Sequence, residues 1–192
     1  MSLGFFLDIN KCTGCRTCHV ACKDLHDLSV GPMLRQVRNF EVGSYPEVDG
    51  FRYATSCHHC NKATCVDACP VQAIFYGEDG TVQVDQEICL SCKLCSDACP
   101  YDAPQFDPLN EDKMIKCDSC KGIREAGENP VCVDACTMRC LAFGDMDELR
   151  TKYGLDLVNE LPILPDASIT EPNLLLKAKP ASLRNDYKEV EI

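Results

Sequence analysis

Tryptophan is absent from the 192-residue chain and aromatic residues make up only 7% of it, so the large side chains that usually anchor a core are scarce. Something other than packing is expected to staple the fold. No apolar run approaches the roughly 18 residues of a membrane span. The opening Met1-Ser2-Leu3-Gly4-Phe5-Phe6-Leu7-Asp8 also lacks the basic flank and long apolar stretch of a signal peptide. The expectation is a soluble or peripheral chain with no direct membrane insertion and no export address of its own. Basic residues are outnumbered, 19 Lys and Arg against 30 Asp and Glu, for a formal charge of −11. Phosphate contacts need clustered Lys and Arg, which excludes nucleic acid and anionic lipid as partners. Nucleophile motif, P-loop and dinucleotide fingerprint are all missing, so the chain is expected to be non-catalytic.

What it has instead is cysteine, 17 in all. Cys12, Cys15, Cys18 and Cys22 form one C-x2-C-x2-C-x3-C group, and Cys89, Cys92, Cys95 and Cys99 form another. Between them, Cys57, Cys60, Cys65 and Cys69 repeat the pattern with one spacer lengthened to four residues. Cys117, Cys120, Cys132 and Cys136 repeat it with a spacer of eleven. All four groups close on the same x3 interval and only Cys140 is left over. Three thiolates at i, i+3 and i+6 on a tight loop can wrap one face of an iron–sulfur cubane. In the bacterial ferredoxin pattern the fourth cysteine is carried away to ligate the other cluster of a pair. Four groups then mean two interlocked pairs, and the Pro after Cys69 and Cys99 suits a chain turning away from a crossing ligand. Zinc is the alternative, although its sites use two ligand pairs and leave a third cysteine idle. An odd cysteine count and spacings of three residues make disulfides poor staples here.

These groups, in this order, resemble the four-cluster iron–sulfur (B) subunits of the dimethyl sulfoxide reductase family of molybdopterin oxidoreductases. The opening Gly4-Phe5-Phe6-Leu7-Asp8-Ile9-Asn10-Lys11-Cys12 and the stretch Ala142-Phe143-Gly144-Asp145-Met146-Asp147-Glu148-Leu149-Arg150 are most similar to the dimethyl sulfoxide reductase branch. The resemblance implies that the first group pairs with the fourth and the second with the third. It assigns Cys12, Cys15, Cys18 and Cys136 to one cluster and Cys22, Cys117, Cys120 and Cys132 to its neighbour. A third would take Cys69, Cys89, Cys92 and Cys95, and a fourth Cys57, Cys60, Cys65 and Cys99. Some nitrate-reductase relatives carry Trp at the place of Cys92 and hold a three-iron cluster; with Cys92 present, all four are expected to be [4Fe–4S]. Two departures stand out: Thr137 follows Cys136 where the family commonly has Pro, and Cys140 is extra. A helix running from Cys132 through Cys140 would put Cys136 and Cys140 on one face at i, i+4, with Cys140 a buried free thiol.

The expected fold is α+β: two ferredoxin-like domains related by pseudo-twofold symmetry, with an inserted strand pair and an extended C-terminal tail. Residues 53–105 form one domain, holding the second and third groups around a hairpin signalled by Asp79-Gly80 between alternating apolar positions. Residues 1–32 with 106–144 form the other, split, domain. Residues 33–52 are the insertion, where Met33–Val42 reads as a strand able to pair with Phe51–Thr55 across a turn region at Gly43–Gly50. Residues 145–192 read as a short helix, started by the capping-box-like Asp145-x-x-Glu148 and ending near Gly154, followed by a partner-binding tail. That tail is punctuated by Pro162, Pro165, Pro172 and Pro180 and shows no sustained period. Its leucines, Leu161, Leu164 and Leu174–Leu176, are expected to be covered by a partner.

His58 and His59, inside an already complete cysteine group, are expected to hydrogen-bond or pack beside the cluster rather than ligate, as are His19 and His26. Arg16, Lys23 and Lys93 adjoin ligands; solvated surface charge is the default, against a role in raising cluster potential. The resemblance implies an electron-transfer subunit in anaerobic respiration, between a molybdopterin catalytic subunit and an integral membrane quinone-binding subunit. It also implies export folded on a partner with a twin-arginine signal to the periplasmic face of the membrane, the alternative being cytoplasmic. The competing reading is a free polyferredoxin, for which four oxidised cubanes would take the formal −11 to about −19.

Overall fold

In the computed structural model, which describes residues 2–108 and 112–191, short strands and short helices alternate. The first half runs β1 (Leu3–Asp8), α1 (Thr17–Leu25), β2 (Arg35–Ser44), β3 (Glu47–Ser56), α2 (Thr64–Asp67), β4 (Ile74–Tyr76), β5 (Val82–Val84) and α3 (Leu94–Ala98). The second half runs β6 (Gln105–Phe106), β7 (Met114–Ile115), α4 (Lys121–Glu125), α5 (Val131–Asp134), β8 (Leu141–Asp145), α6 (Met146–Tyr153), β9 (Leu174–Lys177) and β10 (Tyr187–Val190).

The buried aromatics, Phe5, Phe6, Phe40, Phe51 and Tyr53, all lie in β1, β2 and β3. β1 lies between β8, which is antiparallel to it, and β9, which is parallel, with Leu7 opposite both Leu141 and Leu176. Phe5, Leu7 and Ile9 enter the main core, whereas Phe6 enters a second core with Leu149, Leu157 and Leu175. A strand buried on both faces reads as a continuous apolar run rather than an alternation, which is why Leu174-Leu175-Leu176 shows no period in the sequence. The second sheet has the order β10-β2-β3. Its β2–β3 ladder extends from Arg35 opposite Ser56 to Ser44 opposite Glu47, so the turn is confined to Tyr45-Pro46 and both strands outrun the segments expected from alternation. Phe40 and Phe51 stack across it with ring centroids 5.0 Å apart.

The C-terminal segment corrects the sequence reading. Its leucines are covered by the protein itself: Leu161 and Leu174–Leu176 are buried, and Ile163 and Leu164 pack against the main core. β9 hydrogen-bonds to β1, and β10 adds to β2 with Arg38 and Glu189 paired across the ladder. Apolar residues without a period had suggested a surface waiting for a partner, but an edge strand laid on β1 satisfies the same burial internally. Gly4 permits the close fit, because a Cβ there would lie 2.3 Å from the carbonyl oxygen of Asn173.

Two local expectations are met. The α6 N-cap is Asp145, whose carboxylate accepts from the backbone N–H groups of Asp147 and Glu148, and the helix stops at Gly154 with φ 111°. The β4–β5 hairpin turns through Asp79-Gly80, where Asp79 accepts from the Thr81 N–H at 3.0 Å and its hydroxyl at 2.6 Å.

Leu175 is fully buried, so Leu175→Ala should lower unfolding stability by about 2–5 kcal/mol. Thermal denaturation of anaerobic protein checks this; an unchanged transition would mean that the tail is not part of the core.

Candidate metal centre

The four cysteine groups are built on one repeated turn. The third residue of each C-x2-C has a left-handed backbone: Gly14 (φ 77°), His59 (φ 46°), Ser91 (φ 54°) and Ser119 (φ 58°). L-residues rarely adopt this region. Successive right- and left-handed residues curl backbone N–H groups into a concavity suited to anions, including iron–sulfur sites. In the first and third groups a second left-handed residue, Arg16 or Lys93, immediately precedes α1 or α3. The third cysteine, Cys18 or Cys95, is thereby set in the first turn of that helix. After the last cysteine another turn recurs three times. Gln72, Asp102 and Arg139 are left-handed and donate their N–H groups to the carbonyls of Cys69, Cys99 and Cys136 at 3.2, 3.3 and 3.1 Å. The N–H groups of Ala73 and Cys140 then donate to the sulfurs of Cys69 and Cys136 at 3.2 and 3.4 Å. The first group differs, because Cys22 stays inside α1.

The elements bring the groups together in pairs. Cys12, Cys15, Cys18 and Cys136 line one cavity, with Cys140. Cys57, Cys60 and Cys65 line a second with Cys99, and Cys89, Cys92 and Cys95 line a third with Cys69. Cys22, Cys117, Cys120 and Cys132 are buried and act electrostatically on one another: Cys22 feels Cys132 and Cys120, and Cys117 feels Cys132 and Cys22.

A tetrahedral zinc with Zn–S bonds of about 2.3 Å draws its sulfurs to about 3.8 Å from each other. Among the described residues, no three cysteine sulfurs lie within 4.8 Å of one another. None of the cysteines is paired in a disulfide. Four soft donors spread around a void fit a multinuclear iron–sulfur group and do not fit a single ion.

Burial dominates the electrostatics. It pushes the thiols of Cys18 and Cys95 up to about 11 and those of Cys22, Cys60 and Cys65 up to about 12. Such thiols are inert as nucleophiles and become thiolates only when a metal takes the proton's place. At the exposed rim, hydrogen bonds from Thr17 bring Cys15 down to about 7, and the Thr137 hydroxyl lies 3.6 Å from its sulfur.

Cys140 is buried, and its sulfur lies 3.4 Å from that of Cys136. Its hydrogen bond to Cys12 brings that thiol down to about 6. The continuous helix expected from Cys132 to Cys140 is not formed. α5 ends at Asp134 and the left-handed Arg139 turns the backbone into β8, so Cys136 and Cys140 meet through a turn.

His58 and His59 are fully buried packing groups. The Tyr53 hydroxyl lies 3.1 Å from His58 Nε2, and the Val82 N–H donates to His59 Nδ1 at 3.1 Å. Burial takes His58 down to about 3, so it is neutral. Lys23 donates to the carbonyls of Ser29 and Pro32, and Lys93 lies 5.3 Å from the Phe106 ring. The cations that do reach the interior, Arg35 and Lys116, were missed in the sequence. The available signal was Arg35 in phase with Val37 and Asn39 on the inward face of β2.

Comparison with known proteins points to the same class of cofactor. Residues 48–146 match a family model described as a 4Fe-4S dicluster domain, and residues 11–74 match a second of the same description. The protein is 43% identical to the B subunit of the anaerobic dimethyl sulfoxide reductase of Haemophilus influenzae, over 91% of its own length and 88% of that subunit's. It is 43% identical to the B subunit of the Escherichia coli anaerobic dimethyl sulfoxide reductase, over 91% and 87%. The B subunit of the polysulfide reductase of Wolinella succinogenes is 35% identical, over 90% and 92%. The protein therefore binds [4Fe–4S] clusters and belongs to the dicluster family of iron–sulfur electron-transfer subunits that includes the B subunits of anaerobic dimethyl sulfoxide reductases.

Proposed function

We propose that the protein holds four [4Fe–4S] clusters and relays electrons between a molybdopterin catalytic subunit and a quinone-linked membrane subunit. The ligand sets are Cys12, Cys15, Cys18 and Cys136; Cys22, Cys117, Cys120 and Cys132; Cys69, Cys89, Cys92 and Cys95; and Cys57, Cys60, Cys65 and Cys99. The observation that carries this reading is the meeting of cysteines from two groups around each of three similar cavities. Each bound cluster supplies reversible one-electron chemistry. The protein's residues hold the thiolates and exclude water, and the row has two ends. Cys57 acts electrostatically on Cys117, which supports a contact between the two pairs there, and one ligand of each pair, Cys15 and Cys92, is exposed.

The pair formed by the first and fourth groups is taken to face the catalytic subunit. The recurring left-handed turns support a pseudo-twofold relation between residues 53–105 and the split unit of residues 1–32 and 106–144, with 33–52 as an insertion. In this reading the protein sits peripherally on the periplasmic side of the membrane, reached together with its catalytic partner. Because the tail folds back on its own core, it gives no argument against a free carrier. What favours a bound subunit is the exposed apolar rim of Ile88, Leu90 and Leu94 around Cys92, a surface suited to a fixed contact. Copurification from native extract separates the two readings: a catalytic partner in constant ratio supports the subunit, and a lone protein supports the carrier.

Anaerobic protein should contain about sixteen irons and sixteen acid-labile sulfides per molecule; a reproducible count near eight in fully loaded material would reject four clusters. Cys22→Ser should disturb the cluster of Cys117, Cys120 and Cys132 in its electron paramagnetic resonance spectrum and spare that of Cys12, Cys15 and Cys18. The reverse pattern would refute the crossing ligand.

A further inference from the structure

Arg35 opens β2, and its side chain is fully enclosed, at 2% exposure. Its Nη1 donates to the Ala54 carbonyl at 3.1 Å and its guanidinium carbon lies 4.4 Å from the centre of the Phe5 ring. Nε and Nη2 have no hydrogen-bond partner. A guanidinium carries five N–H donors and keeps its proton in proteins. A buried charge with two open donor atoms therefore calls for an anion. The groups that act on it most strongly are the sulfurs of Cys132, Cys117, Cys18 and Cys22, whose negative charge as thiolates favours the cation against the cost of burial. Three of these thiols belong to one ligand set and Cys18 belongs to its neighbour.

We propose that Arg35 is the internal counter-charge of the cluster held by Cys22, Cys117, Cys120 and Cys132, donating Nε–H and Nη2–H to its sulfur and raising its reduction potential. The inference rests on the four-cluster reading above. A thiolate-ligated cubane carries about −2 when oxidised and −3 after taking one electron. A fixed positive charge in a low-dielectric interior attracts the more negative form more strongly. Arg35 neither gains nor loses a proton in that step; the electron arrives from one neighbouring cluster and leaves to another. A side chain with this role is a positioning and tuning residue, and its effect should fall off toward the distant Cys69, Cys89, Cys92 and Cys95 set.

The test is redox titration of the anaerobic complex, followed by electron paramagnetic resonance, for the unmodified protein, Arg35→Lys and Arg35→Gln. Arg35→Gln should weaken reduction of the Cys22 cluster at least tenfold, about 59 mV for a one-electron couple. Arg35→Lys should recover part of that loss, and the Cys69 set should keep its potential. Unchanged potentials in variants that retain their iron would overturn the proposal. Should Arg35→Gln fail to load, the unmodified protein grown with nitrogen-15-labelled arginine gives a second reading. Pulsed resonance of the reduced cluster should then show a nitrogen coupling that changes with the label, and its absence would overturn the proposal equally. Iron analysis keeps the two levels apart. A protein with no fourth set of irons loses both the four-cluster reading and this one, whereas a full count with unmoved potentials removes Arg35 alone.

Discussion

A buried thiol in an apolar cavity is held in its protonated form, and the rest of the structure depends on overcoming that. Pushed to about 12 by burial, as Cys22, Cys60 and Cys65 are, a cysteine offers a ligand only if something replaces the proton and stabilises the resulting negative charge. The protein has 30 acidic residues and 19 basic ones, so net charge works against it. It answers locally: the turns curl backbone N–H groups toward the sulfurs, and two of the few basic side chains are enclosed. Lys116 donates to the Val82 and Cys117 carbonyls, and Arg35 keeps two donor atoms open.

Left-handed backbone is the price of those turns, and three of the four sites are taken by residues other than glycine. His59 shows why the strain is tolerated. It is held by the Val82 N–H on one ring nitrogen, its carbonyl accepts from Asn173 Nδ2 at 2.6 Å, and His58, beside it, is fixed by Tyr53. Burial of two neutral imidazoles next to a cysteine group thus sets a loop conformation rather than supplying a ligand. The same turn after the last cysteine of three groups puts Ala73, Ala103 or Cys140 at the corresponding place, so Cys140 is an alanine position filled with a thiol. That substitution brings a weak S–H donor next to Cys12 and Cys136, without any change in the turn.

Much of this was legible in the sequence, and the parts that were not share a cause. The cysteine spacing, the Asp79-Gly80 hairpin and the Asp145 cap are local signals, each carried by a few neighbouring residues, and local signals survive folding unchanged. Which groups meet is decided by sheet register, which no spacing encodes; the ferredoxin pattern says only that a fourth ligand crosses. The tail was misread because Leu174–Leu176 is buried on both faces, and a strand of that kind has no period to detect. The helix expected from Cys132 to Cys140 failed for a different reason: helical spacing put the two sulfurs together correctly, but a turn at Arg139 does the same over the same four residues and frees the backbone for β8. Arg35 was passed over because a charge in an alternating strand is ordinarily an outward residue, and only the inward neighbours Val37 and Asn39 mark it as the exception.

The sheet of β8, β1 and β9 explains how two groups more than a hundred residues apart can share one cavity. β1 ends at Asp8, four residues before Cys12, and β8 begins at Leu141, five residues after Cys136. Antiparallel pairing of Leu7 with Leu141, continued by the Asp8 N–H donating to the Cys140 carbonyl at 2.8 Å, fixes the two cysteine loops side by side. β9 then closes the other edge of β1, with the Ile9 N–H donating to the Lys177 carbonyl at 3.1 Å. The scarcity of aromatics suggested a fold stapled by something other than packing. The position of Phe5, Phe6 and Leu7 in the central strand argues for a division of labour: hydrophobic pairing of distant segments brings the thiols of the split unit to one place, and the clusters need only complete an arrangement that the sheet has already made. Local ligand loops are sufficient where both groups lie within residues 53–105. The split unit requires the sheet, and the C-terminal segment completes it.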